Sequence, residues 1–147
     1  MSGIRLDDET QELIKNDVKG HVYKYVTFRI NDEKTKICID EMKLMSDLPD
    51  GSRTIARDHE EFRKLGEIMP QDNMRYIMYT YVDCQLNYQR CFIKWLGTDS
   101  PVKMKMIYAS SEAVIREKLG IKQKLLVEDE FRFPDELLKE QEQKASK

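Results

Sequence analysis

The sequence predicts an α/β fold: a mixed central sheet of about five strands with helices packed on both faces. Three observations carry that reading. Residues alternating with period two come in two pairs of runs, near 23–39 and near 74–96. Segments with helical spacing separate the pairs and stand at both ends of the chain. Strands this apolar on both sides are insoluble unless each face of the sheet is covered.

The elements follow in order. Asp7 and Asp8 sit where a helix cap belongs, with Gln11 three residues after Asp8, and Leu13, Ile14 and Val18 form one stripe. That predicts a helix over about 8–18, stopped by Gly20. From Tyr23, Val26, Phe28 and Ile30 alternate with Tyr25, Thr27 and Arg29; Asn31-Asp32-Glu33 is turn chemistry, and Ile37-Cys38-Ile39 is a short return strand. Residues 41–56 carry Pro49, Asp50-Gly51 and Ser52 and read as a surface loop. A helix is expected over 58–68, with Phe62, Leu65 and Met69 on one side and Pro70 as its stop. Met74–Val82 and Tyr88–Leu96 are strands joined around Asp83–Asn87. Asp99 or Ser100 caps a helix that has Pro101 near its first position and runs to Leu119, with Gly120 as its C-terminal glycine. Ile121–Val127 offers one more short strand, and Pro134 opens a last helix with Leu137 and Leu138.

At 147 residues and 17.5 kDa the chain has the size of one domain, expected over 1–147 with a polar tail from about 139. With 40% hydrophobic and 35% charged residues, collagen-like, low-complexity and wholly disordered classes are excluded. The N-terminus MSGIRLDDET has no apolar h-region, and no apolar run is long enough to span a bilayer, so a soluble intracellular chain is expected. A net charge of −2 argues against a dedicated nucleic-acid binder, and no nucleic-acid partner is expected. Cys38, Cys84 and Cys91 match no zinc or redox spacing and read as small buried hydrophobes. No phosphate-binding glycine loop, metalloprotease motif or nucleophile elbow is present. Acidic pairs such as Glu60-Glu61 read as solvated faces, so catalysis has no support; no cofactor, metal or enzymatic activity is expected.

The informative segment is Ser100–Leu119, SPVKMKMIYASSEAVIREKL. Val102, Met106, Ala109 and Ala113 fall at spacings of four, three and four, a stripe expected to face the core. Lys103 and Lys105 flank it in the first turn, where cations oppose the helix dipole. A basic pair placed against that preference reads equally as a contact for an acidic partner surface or as two ordinary solvated lysines.

These residues resemble the actin-depolymerising factor/cofilin family. Lys105-Met106-Ile107-Tyr108-Ala109-Ser110-Ser111, preceded by Pro101-Val102-Lys103, looks like that family's K-M-x-Y-A-S-S run on its long actin-binding helix. Met69-Pro70-Gln71-Asp72 with Arg75-Tyr76 is similar to its L-P-x-x-D-C-R-Y stretch, and Cys91–Trp95 to its strand ending in Trp. Ser2-Gly3 resembles its N-terminus, and the likeness is clearest from Met69 to Leu119.

The resemblance implies a single actin-depolymerising-factor homology domain, monomeric, in the cytoplasm and cytoskeleton. It implies binding of actin monomers, ADP-bound by preference, and promotion of filament disassembly and turnover. The actin-binding residues it implies are Ser2, Gly3, Lys103, Met104, Lys105, Ser110 and Ser111, with Ser2 as a phosphorylation candidate and phosphoinositide competition at the basic site. Filament-side candidates are Arg90, Lys94, Lys139 and Lys144. Where the family carries a basic hairpin tip, this chain has Asp83-Cys84-Gln85-Leu86-Asn87-Tyr88-Gln89, without Lys or Arg until Arg90. A weaker filament grip is therefore expected. Two rival readings are a filament-side adaptor of coactosin or glia-maturation-factor type and a small cytosolic enzyme.

Overall fold

The computed structural model describes residues 3–17, 22–121 and 124–127. Its elements are β1 (Arg5–Leu6), α1 (Asp8–Asn16), β2 (Tyr23–Ile30), β3 (Lys36–Leu44), α2 (Ile55–Glu67), β4 (Met74–Val82), β5 (Tyr88–Leu96), α3 (Val102–Leu119) and β6 (Lys124–Val127). The strands form one six-stranded sheet in the order β1-β3-β2-β4-β5-β6. Its centre is antiparallel, while β1 on β3 and β6 on β5 are parallel. The parallel β5–β6 pair needs a crossover, and α3 provides it. Val18, Gly20 and the expected helix from Pro134 lie outside the described residues, as do Ser2, Lys139 and Lys144.

The sheet is covered on both sides, as its alternation requires. All nine residues of β4 are buried. Met74, Tyr76 and Met78 pack with Val26, Phe28, Phe92 and the inner faces of α1 and α3 (Leu13, Tyr108, Ile115, Leu119). Ile77, Tyr79 and Tyr81 point the other way, toward Phe62, Leu65 and Met69 of α2 and its exit. A buried ion pair joins α2 to that second face. Asp58 accepts hydrogen bonds from the Lys24 ammonium, the Tyr79 hydroxyl and the Val82 N–H, while Lys24 also donates to the Thr80 carbonyl. Burial pushes the Lys24 pKa down, and Asp58 opposes that shift.

Five expectations need correcting. The sheet has a sixth strand, β1, whose two residues are too short to show a period. The return strand does not stop at Ile39 but runs to Leu44, across a register shift between Thr27 and Phe28. Its Asp40-Glu41-Met42-Lys43 run reads as loop because the outer part of β3 is exposed. Much of the expected long loop is therefore strand or the short 3-10 turn Met45–Asp47. Helix α2 begins at Ile55, three residues early, because Thr54 caps it by accepting the Arg57 N–H at 3.2 Å. Cys91 is buried and Cys38 half-buried, but Cys84 is exposed in the hairpin turn.

The fifth correction concerns α3. Val102, Met106, Ala109 and Ala113 face solvent, while Tyr108, Ser111, Glu112, Ile115 and Leu119 are buried. Tyr108 decides the orientation. Its hydroxyl accepts the Ile30 N–H at 2.9 Å, and its carbonyl accepts the Tyr76 hydroxyl. Two stripes of helical spacing share this helix, and the one carrying Tyr108, Ile115 and Leu119 buries more surface.

Candidate functional site

Helix α3 enters from a tightly fixed connection. A β-carbon on Gly97 would lie 2.5 Å from the Gln71 carbonyl oxygen, so only glycine fits that approach. The Gly97 N–H donates to Asn73 O at 3.1 Å, and the Asp99 N–H to Gln71 O at 2.7 Å. Pro101, rather than Asp99 or Ser100, occupies the cap position, and no side chain caps the helix. The first turn holds no acidic residue. Its free N–H groups and two lysines therefore give this helix end a positive potential.

That end presents a mixed surface. Val102 is 70% exposed and Met106 67%, and Lys103 and Lys105 stand beside them in water. Ala109, Ser110 and Ala113 continue the same exposed face. Ser110 turns its hydroxyl back to the Ile107 carbonyl at 3.0 Å. Met104 is half-buried and packs on the core, which fixes the rotation of the turn. Gly3 is exposed with φ 69, ahead of Ile4 and Leu6, whose side chains enter the core shared with Tyr108. Sequence reasoning missed Val102 and Met106 because it assigned both to the interior. The competing stripe through Tyr108, Ile115 and Leu119 was the available signal.

Other candidates are placed differently. Ser111 is fully buried with its hydroxyl unpartnered, so it cannot meet a partner surface. Arg90 lies within β5, paired to Asp17 at 2.9 Å and donating to the Leu119 carbonyl at 3.3 Å. Lys94 pairs with Glu112 at 3.0 Å, and the same carboxylate takes Lys124 at 2.6 Å. Both filament-side candidates within the described residues therefore tie α3 to the sheet. Burial raises the Glu112 pKa, but hydrogen bonds from Lys124 and Lys94 and their charges outweigh it, leaving a net shift downward.

A sheet sandwiched between α2 and the α1–α3 pair, with a cationic and apolar outer face on its longest helix, defines an actin-depolymerising-factor homology fold. Solved structures share it. A Streptomyces griseoflavus cofilin superposes with a TM-score of 0.72 at 23% identity, covering 95% of this chain and 96% of that one. Actin depolymerization factor 2 of Plasmodium berghei also reaches 0.72, at 24% identity over 99% and 96% of the two chains. Coactosin of Entamoeba histolytica reaches 0.68 at 14% identity over the full length of both. Among sequence relatives, actophorin of Acanthamoeba castellanii is 26% identical over 151 residues, covering 100% of both chains. The cofilin of Schizosaccharomyces pombe is 27% identical over 118 residues, 78% of this chain and 76% of that one. The family model described as cofilin/tropomyosin-type actin-binding protein matches residues 3–143. The chain belongs to this actin-binding family, whose members are binding proteins and not enzymes.

Proposed function

We propose that this chain binds actin monomers, ADP-bound by preference, through Gly3 and the outer face of α3, and so promotes filament disassembly and turnover. One observation carries the reading: Val102 and Met106 stand exposed on either side of Lys103 and Lys105 at an uncapped helix start. Apolar side chains held in water beside cations form a surface that gains from an acidic, partly apolar partner. Ser110 extends that surface, Met104 supports it from beneath, and Ser111 is left out because it is buried. Filaments are bound more weakly, since Arg90 and Lys94 are engaged inside the molecule. The same lysines would attract phosphoinositide headgroups in competition with actin. The protein acts as a monomer within the cytoplasmic actin cytoskeleton.

Sedimentation with monomeric and with filamentous actin tests this. Monomer binding with weaker filament recovery is expected, whereas filament recovery without monomer binding would favour an adaptor of coactosin or glia-maturation-factor type. Phosphate on Ser2 would add about −1.5 to −2 charges to a segment that meets an acidic partner. Ser2→Glu is therefore expected to lose monomer binding at unchanged melting temperature, and full binding by that variant would remove Ser2 from the site.

A further inference from the structure

Lys24 is a buried lysine brought to its place by an irregularity in β2. Tyr23 pairs with Leu44 and Tyr25 with Lys43, so Lys24 is an extra residue in that strand. A bulge of this kind re-aims the side chains around it. Tyr23 packs on the α1–α3 core and Tyr25 on the α2 side, and the Lys24 ammonium reaches Asp58 of α2. Lys24 is 2% exposed and Asp58 1%. A buried ion pair is weak evidence for stability, because desolvation offsets the attraction. What else the two side chains hold accounts for the pair better.

Strand β4 outruns β2. Their ladder ends where Tyr25 pairs with Tyr79, but β4 continues to Val82. On that stretch the ion pair answers the backbone: the Thr80 carbonyl accepts Lys24 at 2.7 Å, and the Val82 N–H donates to Asp58. The Tyr79 hydroxyl donates to the same carboxylate at 2.6 Å. Asp58 therefore stands in for a missing strand at the root of the β4–β5 hairpin. A second fastening lies just ahead of α2. Arg53 donates its Nε–H to the Leu86 carbonyl at 2.9 Å, and its guanidinium carbon lies 4.5 Å from the centre of the Tyr88 ring. The start of α2 thus grips the hairpin at both root and tip.

The apolar hold on α2 is small by comparison. Of its thirteen residues only Asp58, Phe62 and Leu65 are buried. Cys91 lies in the cluster beneath them, 0% exposed, and burial pushes its thiol pKa well up. An element with few buried apolar side chains opens ahead of the rest of a fold. We propose that α2 and the β4–β5 hairpin open as one cooperative unit latched by Asp58, so that release of the helix frees the turn and uncovers the Cys91 thiol. The α1–α3 side keeps its order in the open state, because its core lies on the other face of the sheet. This device is independent of what the outer face of α3 binds.

Native-state hydrogen exchange and alkylation by iodoacetamide, on the full chain and on Asp58→Asn and Arg53→Ala, test the proposal. In the unmodified protein the amides of α2, Val82 and Asp83 should share one opening free energy, below that of the Ile30 amide held by Tyr108. Cys91 should be alkylated through that same opening, after the exposed Cys84. Asp58→Asn keeps the shape but removes the charge that strengthens its hydrogen bonds. It should speed exchange at α2 and at Val82, and alkylation of Cys91, roughly tenfold or more, with Ile30 unchanged. Arg53 is exposed, so Arg53→Ala leaves the core intact; it should speed the same amides together by a smaller factor. Val82 and Asp83 exchanging independently of α2, or either variant loosening one element without the other, would overturn the proposal. So would alkylation of Cys91 only through global unfolding.

Discussion

Val102 and Met106 are apolar side chains left in water, and burying such a side chain is worth about 1.5–3 kcal/mol. Folding gains almost nothing from them, so any gain must come from a partner that covers them. Val102→Ser with Met106→Ser is expected to leave the melting temperature unchanged while weakening monomer binding about tenfold or more. A fall in melting temperature as large as that of Ile115→Ala, which empties a core position at a cost of about 2–5 kcal/mol, would mean that these residues are structural. The neighbouring lysines act differently. Lys103→Ala with Lys105→Ala should cost about 1–3 kcal/mol of monomer affinity, and the loss should shrink as salt rises. Unchanged affinity in a correctly folded double variant would remove both from the site. At this scale the sequence was a partial guide. The residue types around Lys105 marked the right segment, but helical spacing alone could not separate inward from outward, because α3 carries apolar residues on both sides. Tyr108 breaks the tie through long-range hydrogen bonds to Ile30 and Tyr76, which no local pattern contains.

Helix α3 is fastened to β5 and β6 by one carboxylate, Glu112, which meets Lys94 at 3.0 Å and Lys124 at 2.6 Å. Its pKa lies below the ordinary 4.5, so its stabilising effect is complete above that value and is lost as pH falls through the depressed folded pKa. Glu112→Gln should therefore melt lower than the unmodified protein at pH 7, and the two curves should converge as the pH drops below about 4.5. A gap that stays constant with pH, or none at pH 7, would contradict an ionic role. Legibility differed between elements for similar reasons. β4 and β5 were bounded correctly from sequence because both are central, aromatic and β-branched, and are closed by Asp83–Asn87 and Pro70. The outer half of β3 was not, since an edge strand half in water carries the charges of a loop. β1 was not, because two residues have no period. The Glu112 cluster joins residues 94, 112 and 124, a juxtaposition created only by the crossover.

Among the described residues, the two ends of β4 lie beside unequal amounts of charge that no ion pair answers. The α3 end offers two lysines, two exposed apolar side chains and an uncapped helix start. The hairpin end offers one cation, Arg53, on a turn whose own residues are uncharged between Asp83 and Arg90. Arg90 and Lys94 do not compensate, because Asp17 and Glu112 answer their charges inside the fold. Long-range attraction to an acidic filament grows with unpaired surface charge, so this protein should raise the monomer pool more readily than it decorates filaments. Lysines at Gln85 and Asn87 would flank Leu86 while sparing the Asp83–Gln89 bond and the backbone hydrogen bonds of the turn. Gln85→Lys with Asn87→Lys should raise filament affinity about three- to tenfold at low salt, with the gain fading toward physiological ionic strength and monomer binding unaffected. Co-sedimentation across a salt series, beside filament-by-filament imaging of severing, decides it. Robust decoration or severing by the unmodified protein at near-physiological salt would mean that the hairpin end already holds a full-strength surface, and that charge is not what limits its grip.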